Sequence, residues 1–162
     1  MRFPIGARRL PPGVEVDPRD RVLAHAGTAD DEGHDNGHVV ATDRALYLPG
    51  GTRLPWYLID RGEWDEAGLR LLTTDGARHV LRVPEPGRLP DVVRERVTWS
   101  ILVSRHVTLP GRGGVRLVAR RVPDQEQPAW EFVFDEGLDP DDPGLRALAE
   151  QALESLRRSY GI

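Results

Sequence analysis

The sequence predicts an α+β protein that consists mainly of short antiparallel strands and contains two helices. Between residues 19 and 83, runs rich in aliphatic, β-branched and aromatic residues alternate with turns of Gly, Pro and Asp. Apolar residues recur at helical spacing near 89–103 and again after Asp142. The pattern therefore indicates a meander of strands that ends in a helix, followed by a second group of strands and a second helix.

Turn residues are the most specific signals in the first half of the chain. In VVATDRALYLPGG, residues 39–51, Asp43 can bond its own backbone in a tight turn, and Pro-Gly-Gly ends the returning strand. Asp75-Gly76 predicts a second hairpin, between LRLLTT and HVLRV. Between the two hairpins, residues 53–60 are predicted to form one strand, with Pro55 at an edge or a bulge.

The second half reads as a helix followed by a βββα unit. The first helix is predicted at about 89–103, although WSILVSRHV, residues 99–107, also fits a strand. Strands are predicted on both sides of PGRGG and along AWEFVF, where Trp and Phe alternate. The last helix is predicted to begin with Asp142 as its cap and Pro143 in its first turn, and to end at Gly161.

These elements predict three parts of the chain. Residues 1–18, with four prolines, are expected to form an N-terminal tail. Residues 19–103 are expected to form a β-rich domain with its helix, and residues 104–162 a C-terminal βββα unit packed on the first domain. The amphipathic stripe of the last helix predicts that it covers one face of its sheet.

Four stretches resemble the bacterial PH-like, or GRAM-like, domains over about residues 20–103. They are VVATDRALYLPGG, RLPWYLIDRGEWD, LRLLTTDGARHVLRV and the helix near 89–103. The resemblance implies a bent antiparallel sheet or barrel closed by a helix, and a scaffold or binding module without catalytic residues. Phosphoinositide-binding members have a basic early loop, whereas TADDEGHDNG at the corresponding place is acidic. The resemblance therefore does not extend to that ligand.

The whole chain also resembles an uncharacterised family from GC-rich Gram-positive bacteria. The matching features are SRHVTLPG, VRLVARR, the Trp-containing strand and the Leu/Ala-rich last helix. This resemblance implies no activity.

The composition excludes several classes of chemistry. The chain has no Cys, which removes disulfides, thiolate metal sites and cysteine nucleophiles, and no Lys, which removes Schiff-base and P-loop chemistry. A net charge of −4 argues against a nucleic-acid partner. The N-terminus has no apolar run of a signal peptide, and no segment is apolar enough to span a membrane. We therefore expect a cytoplasmic protein without stable membrane insertion and without a cofactor.

Four residues near the N-terminus could bind a metal, namely His25, His34, Asp35 and His38. Imidazole and carboxylate groups are common metal ligands, but a structural or catalytic site needs three or four that are already oriented. Glycines at 33 and 37 argue against a helix that would bring His34 and His38 to one face. The sequence favours a solvated hairpin loop at 28–37 over a metal site.

The best candidate for a binding surface is a cluster of arginines around the PGRGG turn. Its members are Arg105, Arg112, Arg116 and Arg120. Alternation with Val115, Leu117 and Ala119 places Arg116 and Arg120 on the outward face of a strand. Such a cluster could hold an anionic partner, or it could be a polar sheet face that pairs with Glu131 and Asp135.

The sequence therefore predicts a non-enzymatic interaction module that acts through contacts with a protein or an anionic ligand. Its partner is expected to be a protein, and a homodimer is possible. One alternative is a metal-binding protein or enzyme that uses the His/Asp loop at 25–38. A second alternative is a peripheral binder of membrane surfaces.

Overall fold

The computed structural model describes residues 10–161. Of the predicted N-terminal tail, residues 1–9 lie outside the described residues. The chain divides between Ser100 and Ile101 into two compact units, which we call the N-terminal unit and the C-terminal unit. The fold class is α+β, with three antiparallel sheets and two α-helices among the described residues.

The N-terminal unit contains seven strands in two antiparallel sheets, followed by a helix. The first sheet has the order β1 (Val22–Ala29), β2 (Asp35–Thr42), β3 (Ala45–Tyr47), β4 (Arg53–Pro55). The second sheet has the order β5 (Ile59–Asp65), β6 (Gly68–Thr73), β7 (Arg78–Leu81), and helix α1 spans Leu89–Ser100. Both predicted hairpins are confirmed, because β2 pairs with β3 and β6 with β7.

The prediction of one strand at 53–60 is wrong. A 3-10 turn at Trp56–Leu58 separates β4 from β5, and the chain passes there from the first sheet to the second. Trp56 is buried, and its indole Nε1 donates a hydrogen bond of 2.9 Å to the carbonyl of Thr42. The turn therefore anchors the change of sheet through a buried aromatic side chain whose only polar atom has a partner.

One hydrophobic core is shared by the two sheets and helix α1. Leu46 of β3, Ile59 and Leu69 of the second sheet and Val93 of α1 all belong to it and are almost completely buried. The backbone N–H of Ala29 donates to the carbonyl of Arg82 at 2.9 Å and bridges the two sheets on one side. The strands within residues 10–161 nevertheless form separate sheets and no closed barrel.

The segment before β1 covers the other face of the first sheet. Leu10, Val14 and Val16 pack against a second cluster that includes Val40 and Tyr47. The alternation of β2 explains this arrangement, since neighbouring residues of a strand point to opposite faces. The first sheet is therefore covered on both faces.

A buried polar network secures this segment. The Tyr47 hydroxyl donates to the Asp20 carboxylate at 2.7 Å, and Arg53 donates to the same carboxylate through Nη2 at 3.1 Å and Nε at 3.2 Å. The same hydroxyl accepts the backbone N–H of Asp17 at 2.9 Å. The Asp20 side chain has no exposure to water, so its charge depends on these partners.

The C-terminal unit is a three-stranded antiparallel sheet with one helix. Its strands are β8 (Ile101–Leu109), β9 (Gly113–Arg120) and β10 (Ala129–Phe134), in the order β10-β9-β8, and helix α2 spans Pro143–Tyr160. The predicted extension of the first helix to residue 103 is wrong, because α1 ends at Ser100 and the strand alternative for the following residues holds. The Ser100 hydroxyl bonds the Val97 carbonyl at 2.6 Å within the last turn of α1.

Helix α2 packs on one face of this sheet. Its Leu145 and Ala149 are buried with Val115 and Leu117 of β9, and Phe132 of β10 packs against them. The predicted ends of the helix are confirmed. The Asp142 carboxylate accepts the N–H of Gly144 at 2.9 Å and of Leu145 at 3.3 Å, and Gly161 ends the helix in the left-handed conformation.

Candidate interaction surfaces

The arginine cluster predicted from the sequence is only partly exposed. Arg116 and Arg120 lie on the same face of β9, as the alternation requires, and Arg116 is exposed. The prediction that Arg120 points into water is wrong, since Arg120 is only 2% exposed. Its Nε donates to Glu131 Oε2 at 3.0 Å, across the paired strands β9 and β10. Arg120 is therefore held in a buried ion pair with Glu131. This pairing is the alternative to an anion-binding surface that the sequence left open.

The other arginines of the cluster also make internal contacts. Arg112 bonds the carboxylate of Asp142, the N-cap of α2. The guanidinium of Arg105 lies 6.0 Å from the ring centroid of Tyr160, and Arg116 donates to the Ser104 hydroxyl at 3.2 Å. This network connects the strands with each other and with the helix. Arg112 is exposed but paired with Asp142, which leaves Arg105 and Arg116 as the members of the cluster that are exposed and have no carboxylate partner among the described residues.

The loop histidines do not come together as a metal site. His34 is exposed, and its Nδ1 lies 3.4 Å from Asp30 and 3.6 Å from Glu32. His25 and His38 lie instead on the paired strands β1 and β2, where they line a shallow hollow together with Asp35. Within residues 10–161 no three side chains of His, Asp or Glu are close enough to share a metal ion.

Asp30 is the residue that organises this loop. Its carboxylate accepts the backbone N–H of His34 at 2.8 Å and of Glu32 at 2.9 Å. The N–H of His34 makes the largest contribution to holding the pKa of Asp30 below its ordinary value. Asp30 therefore serves as the turn-forming acceptor of the loop.

A surface that the sequence did not single out lies on the second sheet of the N-terminal unit. The inner face of this sheet contributes Leu69, Leu71 and Trp64 to the core and lets Gly62 approach Val93 of α1. The outer face bears the alternate residues, and we call it the open sheet face. It consists of Arg61, Glu63, Asp65, Arg70, Leu72, Arg78 and Val80.

The pairing of the strands arranges the open sheet face in rows. The first row is Arg61, Leu72 and Arg78, so that two arginines flank a half-buried leucine. Adjacent strands lie about 4.8 Å apart, which puts the Cα atoms of Arg61 and Arg78 roughly 10 Å from each other.

The second and third rows carry a different charge. The second row is Glu63, Arg70 and Val80, and Val80 is 66% exposed. Asp65 occupies the third row, opposite Gly68. Positive charge therefore concentrates in the first row, whereas the second and third rows each include a carboxylate. Next to Gly68, the exposed Arg82 donates to the carbonyl of Asp31.

The two ion pairs on this face differ in distance and exposure. Arg70 and Asp65 approach to 3.0 Å, whereas Arg61 and Glu63 are 3.7 Å apart and both more than 60% exposed. No carboxylate within the described ranges pairs with Arg78. Arg61 and Arg78 are thus the cations that can most easily accept a new partner, since exposed pairs stabilise little.

The open sheet face borders an open hollow of about 370 Å³. Its lining combines charged side chains with apolar ones: Arg61, Glu63, Arg70, Leu71, Leu72, Arg78, His79 and Val80. The sequence contained part of the signal, because Arg, Glu and Asp alternate at 61, 63 and 65. The register that brings Arg78 beside Leu72 is a tertiary property that cannot be predicted from the local sequence.

The comparisons with known proteins identify no relative of this chain. No family model, curated protein or solved structure gives a significant match to this chain. No helix within residues 10–161 is both long and apolar enough to cross a membrane.

Proposed function

We propose that this protein is a non-enzymatic interaction module that binds a protein partner through the open sheet face. The observation that carries the proposal is Val80, which is 66% exposed in a sheet face bordered by three arginines. The open face of an antiparallel sheet ordinarily carries polar residues, and arginine and apolar side chains together are typical of protein interfaces.

The proposal includes a PH-like fold for the N-terminal unit. Its support is the order of the elements, in which a four-stranded and a three-stranded antiparallel sheet share a core with the helix that follows them. The resemblance to PH-like domains concerns scaffolds and binding modules, which agrees with an interaction role. The acidic turn at 30–34 continues to argue against phosphoinositides as the ligand.

The open sheet face is a better candidate than the arginine cluster of the C-terminal unit. In that cluster Arg112 and Arg120 pair with Asp142 and Glu131, and breaking those pairs would disturb the helix cap and the sheet. On the open sheet face, a partner can engage Arg61 and Arg78 without removing a buried charge. Binding there leaves the fold unchanged.

The test is capture of partners from a lysate of the cells that produce the protein, with matched variants. Arg61→Ala with Arg78→Ala removes two exposed cations from the open sheet face. Arg105→Ala with Arg116→Ala removes two from the C-terminal unit and serves as the control. We expect proteins captured by the wild type to be lost with the first pair and retained with the second.

Two results would overturn this assignment. Equal capture by the Arg61/Arg78 variant, with a native circular dichroism spectrum, would place the interface elsewhere. Loss only with the Arg105/Arg116 variant would return it to the arginine cluster first predicted.

A further inference from the structure

We propose that the partner contributes an extended segment with an acidic residue at one position and an apolar residue two positions away. This inference rests on the proposed function, and it specifies the chemistry that the open sheet face recognises. The segment would lie over the sheet, with its acidic side chain between Arg61 and Arg78 and its apolar side chain on Val80.

The spacing follows from the rows of the sheet. Successive rows on one face are two residues apart along each strand, as Leu72 and Arg70 are on β6. In an extended segment, side chains that share a face are also two residues apart, about 6.8 Å at the usual rise per residue. A segment aligned with β6 therefore places alternate side chains over successive rows.

The charge of each row determines which residue it favours. Over the first row, a carboxylate can accept hydrogen bonds from two guanidinium groups, and Leu72 beneath it limits access of water. Over the second row, Arg70 is already engaged with Asp65, and Val80 offers apolar surface. Over the third row, Asp65 repels another carboxylate, so the segment should be neutral or basic there.

The net charge of the protein strengthens this assignment. The whole chain carries a net charge of −4, so its net charge opposes an acidic partner, and attraction requires a local group of cations such as Arg61 and Arg78. A basic segment would have no such site in the first row. The open sheet face therefore selects an acidic segment in one orientation.

The experiment uses the full-length protein, labelled with ¹⁵N, and three synthetic heptapeptides with blocked ends. The first is Gly-Glu-Ser-Leu-Ser-Arg-Gly, the second has Gln for Glu, and the third has Ser for Leu. We expect the first to shift the amide signals of β6 and β7. The Gln peptide should bind roughly tenfold more weakly, because it loses charge-assisted hydrogen bonds, and the Ser peptide should also bind more weakly.

The variants and a second ligand make the test decisive. Arg61→Ala with Arg78→Ala should abolish the difference between the Glu and Gln peptides, whereas Arg105→Ala with Arg116→Ala should preserve it. Equal binding of the Glu and Gln peptides to the wild type would overturn the inference. Binding of phosphatidylglycerol-containing vesicles through Arg61 and Arg78, with no peptide binding, would also overturn it in favour of a membrane surface.

The two proposals can fail separately. If cellular partners depend on Arg61 and Arg78 while no acidic peptide binds, the interaction face stands and the proposed segment chemistry is wrong. If no partner depends on these residues and the peptides do not bind, the proposed function fails as well.

Discussion

His106 on β8 and Asp135 just beyond β10 meet across the intervening strand, with Nε2 of His106 2.8 Å from Oδ1 of Asp135. Gly114 of β9 makes this contact possible. A Cβ atom at Gly114 would lie 2.4 Å from Cε1 of the imidazole and 3.0 Å from Oδ2 of Asp135. The ring therefore lies over the Gly114 backbone, and this hydrogen-bond contact connects β8 with the end of β10.

We predict that Gly114→Ala displaces the His106 ring and breaks its contact with Asp135. The loss of unfolding free energy should be at most about 1 kcal/mol, because both side chains are over 40% exposed and the imidazole can rotate away. Urea denaturation gives the loss, and histidine side-chain NMR signals report the contact. In a His106→Ala background the added alanine should cost almost nothing. An undiminished loss there would show that the backbone itself requires glycine.

Arg120→Ala should destabilise the C-terminal unit strongly. The Arg120 side chain is 3% exposed and that of Glu131 19%, so the variant leaves a largely buried carboxylate without the Arg120 guanidinium. Removal of one partner of a buried pair costs about 3–5 kcal/mol, and we expect the lower end because Glu131 retains some contact with water. Chemical denaturation followed by tryptophan fluorescence measures this loss.

The matched variant for that experiment is Arg120→Met with Glu131→Leu. It replaces both charges with apolar side chains of similar length, so it should recover most of the stability lost in Arg120→Ala. If the double variant is as unstable as the single one, further contacts of these side chains, and not the mutual pairing, explain the loss.

Tyr47→Phe is expected to lower the unfolding free energy of the protein by about 1–3 kcal/mol, the usual cost of leaving buried polar groups unsatisfied. The hydroxyl bonds both Asp20 and the backbone of Asp17, and Asp20 is buried. Burial, followed by the hydrogen bond to Asp20, raises the pKa of Tyr47.

The raised pKa gives this prediction a pH dependence. A group whose pKa is higher in the folded state stabilises the fold below its ordinary pKa, about 10 for tyrosine, and loses that effect as the pH rises through the folded value. The difference between wild type and Tyr47→Phe should therefore be constant near neutral pH and shrink above about pH 10. A difference that grows at alkaline pH would contradict the network.

Asp142→Ala should lower the thermal midpoint of unfolding by removing the N-cap of α2. The N–H groups of Leu145 and Gly144, together with Arg112, hold the pKa of Asp142 below its ordinary value. A lowered pKa means that the cap stabilises fully above about pH 4 and loses its effect as the pH falls through the folded value. Thermal scans should show the two proteins converging in acid. Asp141→Ala is the control, and an equal effect of that variant would contradict a specific cap.

The sequence predicted the elements whose causes are local. The hairpins at 39–51 and at Asp75-Gly76 follow from turn residues, and both ends of α2 follow from its capping residues. The prediction of a single strand at 53–60 was wrong for a tertiary reason. Trp56 is buried and donates to the Thr42 carbonyl, and the turn at this residue takes the chain from one sheet to the other. The predicted end of the first helix was wrong because residues 101–103 suit a helix and a strand equally well. Their pairing with β9 selects the strand.

Candidate surfaces were harder to predict than elements. Alternation correctly put Arg116 and Arg120 on one face, but it cannot tell which of them is covered, and Arg120 is the buried one. The open sheet face depends on a three-strand register that joins Arg61, Leu72 and Arg78. Residues so far apart in the chain become neighbours only through pairing, so no local pattern reveals the row.

The hydrogen bond from the Ala29 N–H to the Arg82 carbonyl has a consequence for folding kinetics. Each hairpin of the N-terminal unit joins residues near in sequence, whereas this bond closes a loop that contains nearly the whole meander. Loop-closure entropy makes such long-range contacts slow to form. During folding, the amide of Ala29 should therefore gain protection from hydrogen exchange after the hairpin amides do. Its protection reports the step in which the two sheets join into one cooperative structure.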